Sequence, residues 1–214
     1  DVNVILLDYP SITAKRKRTG NYFFAKKNAS MAYIDFVPVM DSIRMLQEAK
    51  MLGNSGVNLF FHSMGNIVMR QIIKKRKLDC LNSSQWVNNI ILNAPCIPQH
   101  GHKKLLDQIN FAKRIYINYN PGDYTLGGAY LMSKRYQLGK QVQKPLSEKT
   151  VYINFNKLVG EGHSNFLDFH NRKSIPEAAK KHYNKLLHGE RLDVDDTSVY
   201  QISEHKGIGY DIVP

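Results

Sequence analysis

Five stretches of the chain are mainly apolar and rich in β-branched residues: 2–7, 57–61, 87–92, 114–119 and 150–155. Runs of this kind, without alternation, suit strands buried on both faces of a parallel sheet. Helical patterns separate them. Residues 39–51 place Met40, Ile43, Leu46 and Met51 at near-helical spacing, with Pro38 fitting a first turn and Gly53 a stop. Residues 64–77 put Ile67, Val68, Ile72 and Ile73 on one side, and 103–110 and 176–187 carry shorter or weaker patterns. The alternation of strand and helix predicts an α/β fold: an open, mostly parallel sheet with helices on both faces and 57–61 as a central strand. Right-handed crossovers then gather the strand C-termini along one edge, where ligands bind.

Residues 1–188 read as one domain, and 189–214 as a polar C-terminal tail marked by Asp193, Asp195 and Asp196. The 214 residues suffice for a sizeable core. No apolar run approaches the roughly eighteen residues of a membrane span. The opening DVNVILLDYP has neither a basic n-region nor a small-residue cleavage site, so it is not a signal peptide. It reads as a buried strand that starts the chain inside a fold, and further N-terminal sequence is expected before it.

Cys80 and Cys96 lie sixteen apart (96 − 80) without a C-x-x-C pattern, which argues against a zinc site and a disulfide framework. Cys96 reads as a packed free thiol. The formal charge is +12, a balance that favours encounter with anions. It is concentrated in Lys15-Arg16-Lys17-Arg18, Lys26-Lys27 and Lys74-Lys75-Arg76-Lys77. The last cluster falls where cations complement a helix C-terminus, and the first in a predicted loop spanning 14–27. Nucleic-acid binding is not favoured, because no base-stacking aromatic motif accompanies the charge.

The chemistry centres on VNLFFHSMGN, residues 57–66, where an apolar strand meets a serine at the start of a helix. Such a corner exposes a hydroxyl above the sheet edge and aims helix N–H groups at developing negative charge. Serine becomes a nucleophile only when a base takes its proton and fixed donors receive the oxyanion. Two further candidates follow later strands. Asp123 closes the turn N-P-G-D after 114–119, and His163 lies in the glycine-rich V-G-E-G-H after 150–155. They appear in the order Ser, Asp, His at intervals of 60 (123 − 63) and 40 (163 − 123).

These segments, together with VILLDYPS at 4–11, resemble the α/β-hydrolase superfamily over roughly residues 2–188. The resemblance implies a Ser-His-Asp triad with Ser63 as nucleophile, His163 as general base and acid, and Asp123 as the residue that orients the imidazole. It implies Met64 N–H as one oxyanion donor, the other coming from an N-terminal loop not represented here. Two features depart from the pattern: Phe61 replaces the first glycine of G-x-S-x-G, and that N-terminal strand and loop are missing. An acyl substrate follows, with the basic loop at 14–27 suiting an acidic or phosphorylated one, and no cofactor is called for. The alternatives are a non-catalytic binding protein on the same fold and a basic anion or nucleic-acid binder. Residue by residue, Ser63 could be a helix cap, Asp123 a turn former and His163 a loop histidine. Asp168 is a rival acid, and His62 is read as turning away from Ser63 to support the corner. No metal site is expected: His100-Gly101-His102 offers two ligands at most.

Overall fold

The computed structural model describes residues 2–13, 15, 17–53, 55–75, 77–167 and 174–214. Helices α1 (Arg18–Met31) and α2 (Tyr33–Glu48) precede strand β1 (Val57–His62) and helix α3 (Gly65–Lys74). Strand β2 (Val87–Asn93), helix α4 (His102–Leu106), strand β3 (Ala112–Tyr119) and helix α5 (Tyr124–Ser133) follow. The chain continues through β4 (Thr150–Asn154), α6 (Asn156–Val159), α7 (Glu177–Leu187), β5 (Tyr200–Ile202) and β6 (Tyr210–Ile212).

The strands form one six-stranded sheet in the order β1-β2-β3-β4-β6-β5. Every pairing is parallel except β5 with β6. Alternation along the strands divides the core in two. Ile90, Leu92, Ile115, Ile117 and Tyr152 face one cluster, packed with Val68 and Ile72 of α3, Leu106 of α4 and Ala29 of α1. Ile91, Tyr116 and Ile153 face the other, with Ala179, Tyr183 and Leu186 of α7. Helices therefore cover both faces, as the apolar pattern predicts.

Several expectations need correction. Residues 2–7 join no sheet: Val4 is 81% exposed, Ile5 70% and Leu6 83%. A strand is stabilised through its ladder partners, and β propensity without one leaves this run irregular. Strand β1 lies at the sheet edge, not at its centre, and does not pair with residues 2–7. The predicted loop at 14–27 is mostly α1. Its buried residues are the small Ala25 and Ala29, which let helices approach closely but give little apolar periodicity to read. Helix α2 begins earlier than predicted and contains Pro38, while Leu46 and Met51 of the predicted stripe stay exposed.

The polar tail at 189–214 is also revised. It supplies β5 and β6 and buries Leu192, Tyr200, Ile208 and Ile212. Strand β6 pairs in parallel with β4, and Asn154 donates to Asp211 Oδ1 at 2.8 Å. The segment looked polar because its buried polar groups find partners in the sheet rather than in solvent.

Candidate active site

Ser63 occupies the corner between β1 and α3 with φ 51. This left-handed conformation is unfavourable for a residue with a β-carbon, by about 1–3 kcal/mol. The surroundings hold it. Ser63 N–H donates to Asn93 O at 3.0 Å, and Ser63 O accepts from Cys96 N–H at 3.1 Å. The buried Asn66 amide donates to Ser63 O at 3.0 Å and to Phe61 O at 2.9 Å, tying both sides of the corner together.

The hydroxyl does not cap the helix. Ser63 Oγ lies 3.0 Å from His163 Nε2, and His163 Nδ1 lies 2.6 Å from Asp123 Oδ2. An ionised carboxylate only accepts, so the imidazole proton sits on Nδ1 and Nε2 accepts from the serine. Asp123 is fully buried and His163 is 14% exposed. The second carboxylate oxygen accepts from Leu126 N–H at 2.8 Å, which makes Asp123 the N-cap of α5 as well. Lys140 Nζ donates to the carbonyls of Pro121 and Asp123 at 2.7 and 2.9 Å, fixing the turn that carries the acid. The three residues singled out from the sequence are thus brought into one hydrogen-bonded chain. Asp168 lies outside the described residues.

Met64 is the N-cap of α3, and among the described residues its N–H donates to no acceptor. It stands beside Ser63 at the positive end of a ten-residue helix. Phe61 is half-buried against the core cluster under α3. A β-carbon at Gly65 would meet nothing within 4 Å, so this corner lacks the close approach that would demand a small residue there.

His62 is the last residue of β1. Its ring lies against His163, with centroids 4.9 Å apart, and against Phe166 at 4.7 Å. Its Nδ1 is 3.1 Å from Asn93 Nδ2 and accepts from that amide. Burial pushes the imidazole down to about 3, and charge on His163 acts in the same direction, while the backbone of Asn93 opposes both. His62 is therefore a neutral wall beside His163 at neutral pH. Asn93 Oδ1 in turn accepts from Tyr183 O–H at 2.7 Å. Asn66 and Asn93 carried no readable signal beyond their nearness to strand ends, because their roles depend on contacts between separate segments.

Other candidates have structural employment. His102 Nδ1 donates to Gln99 O at 2.8 Å and Nε2 accepts from Tyr152 O–H at 3.0 Å. Burial raises the Cys96 thiol to about 12, with Lys26 opposing and Asp123 adding to the rise, so it is not a thiolate at neutral pH. Helix α1 reaches the site through Tyr22, which packs with Met64 against Ala94, Cys96, Leu126 and Ala129. Lys26 Nζ lies 5.9 Å from the Tyr22 ring centroid. Comparison with protein-family models, with curated proteins and with solved structures gives no match to this chain.

Proposed function

We propose that this chain is a serine hydrolase of the α/β-hydrolase type, cleaving an ester, thioester or amide. The observation that carries the proposal is the chain from Ser63 Oγ through His163 to Asp123, with heavy-atom separations of 3.0 and 2.6 Å. A corner that holds serine at φ 51 without using its hydroxyl as a cap supports the same reading.

Ser63 Oγ bonds to the acyl carbon as its proton passes to His163 Nε2. Asp123 keeps the Nδ1 proton in place and offsets the charge on the imidazolium. The carbonyl oxygen becomes an oxyanion within reach of Met64 N–H and the α3 N-terminus. His163 then gives its proton to the leaving group, and an acyl-enzyme remains. Water reverses the sequence, losing its proton to Nε2 and releasing the acid. Lys26, carried toward the site on α1, favours a substrate with an acidic or phosphorylated group.

A fluorophosphonate probe tests the proposal. Stoichiometric labelling at Ser63, absent in Ser63→Ala and strongly slowed in His163→Ala, is the expected result. A folded wild-type protein that stays unlabelled at high probe concentration and hydrolyses no short acyl ester would overturn it.

A further inference from the structure

The triad spans three pieces of chain. The β1–α3 corner is bonded to the end of β2 through Asn93. The acid sits on the turn after β3, and the histidine sits in the loop after α6. These last two segments must be held against each other within a few tenths of an ångström for a 2.6 Å contact to persist. Among the described residues the backbone-to-backbone bond between these loops is long: Tyr124 N–H reaches Glu161 O at 3.4 Å.

Asn120 supplies the short ones. It is 2% exposed and directly follows β3. Its Nδ2 donates to Gly160 O and Gly162 O, both at 2.8 Å. Its Oδ1 accepts from Gly122 N–H at 2.9 Å and from Asn156 Nδ2 at 3.2 Å. Two donated and two accepted bonds use the full capacity of a primary amide. The partners also set its orientation, since a reversed amide would face its NH2 to Gly122 N–H and its oxygen to two carbonyls. Gly122 immediately precedes Asp123, and Gly162 immediately precedes His163. The amide therefore grips the Pro121–Gly122 peptide, one removed from the acid, and the Gly162–His163 peptide beside the base.

We infer that Asn120 is a positioning residue for the reaction, setting the Asp123–His163 contact by clamping the two loops together. This rests on the hydrolase reading for its catalytic consequence, but the clamp itself is a property of the geometry. No substitution reproduces it. Asn120→Asp keeps the acceptor and loses both donors, turning a carboxylate oxygen toward two carbonyls. Asn120→Ala removes all four bonds.

Four proteins distinguish the clamp from general stability: the wild type, Asn120→Ala, Asn120→Asp and Asn89→Ala. Asn89 is the control, because it is fully buried and its Nδ2 bonds the carbonyls of Leu186 and Glu190, away from the triad. Labelling rates are corrected for the folded fraction. Both Asn120 variants should label about a hundredfold more slowly than the wild type, the loss expected from a misplacement near 1 Å. For ester turnover kcat should fall while KM changes little. Asn89→Ala should lose stability yet label at the wild-type rate.

A second readout stands apart from activity. The downfield proton resonance of the His163 Nδ1–H bonded to Asp123 should be present in the wild type and in Asn89→Ala, and lost or moved upfield in the Asn120 variants. If the wild type does not label, the hydrolase proposal fails and this resonance still decides the clamp. Should Asn120→Ala fail to fold, the nearly isosteric Asn120→Asp carries the test. Asn120 variants that retain both the wild-type resonance and the labelling rate per folded molecule would overturn the inference.

Discussion

At Ser63 the backbone and the side chain make opposing demands. A residue with a β-carbon is strained at φ 51, while the hydroxyl has a specific partner in His163. Glycine would satisfy the backbone alone. Ser63→Gly is expected to raise stability by about 1 kcal/mol, the relieved strain less the greater chain entropy of glycine when unfolded. Ser63→Ala keeps the strain and should leave the denaturation midpoint nearly unchanged. Chemical denaturation of the three proteins checks this, and a lower midpoint for Ser63→Gly would mean that the serine contributes more to the fold than its strain removes. Ser63, Asp123 and His163 were legible because each stands just past an apolar run in turn-forming sequence. Asn66 and Asn93 were not, since an amide beside a strand end has many possible orientations until its neighbours are known.

The elements that carry the site depend on glycine unequally. A β-carbon at Gly65 meets nothing, whereas one at Gly122 would come within 2.5 Å of both Gly160 O and Asn156 Nδ2. Gly65→Ala at the start of α3 should therefore stabilise the protein by about 0.4–1 kcal/mol with labelling intact. Gly122→Ala should force the acid and base loops apart and depress labelling per folded molecule. Equal labelling by the two variants would show that the loops yield without moving the triad. The strands β2, β3 and β4 were readable because burial on both faces writes a continuous apolar run. Helix α1 was not, because Ala25 and Ala29 make close contact with so little apolar surface that the segment reads as a basic loop.

Across the whole molecule, histidines lowered by burial link stability to pH, His62 and His182 the furthest. Burial lowers His62 and His182 from 6.5 to about 3 in each case. His182 is fixed neutral, accepting from Tyr200 O–H at 3.0 Å and donating to Asn118 Oδ1 at 3.2 Å. Above 6.5 both are neutral whether the chain is folded or not, and they add no pH dependence. Below 6.5 the unfolded chain takes up protons that the folded chain refuses, so stability falls with acidification until the pH reaches about 3. Well inside that window each histidine contributes a slope of about 1.4 kcal/mol per pH unit. Urea unfolding at a series of pH values between 7 and 4.5 measures it, and His182→Gln should flatten the fall. An unchanged slope in that variant would show that His182 titrates alike in both states.

The sequence by itself determined the α/β class, the helices on both faces and the order of three chemically suited residues. All of these follow from patterns written locally: apolar runs, turn residues and their succession along the chain. Tertiary structure alone decided that β1 is an edge strand, that residues 2–7 stay outside the sheet and that the polar C-terminal segment completes it through β6. It also decided that Asp123 and His163 meet. Strand partners and loop-to-loop bonds join residues far apart in the chain, and a polar residue that will be satisfied across such a distance looks the same in sequence as one that faces water.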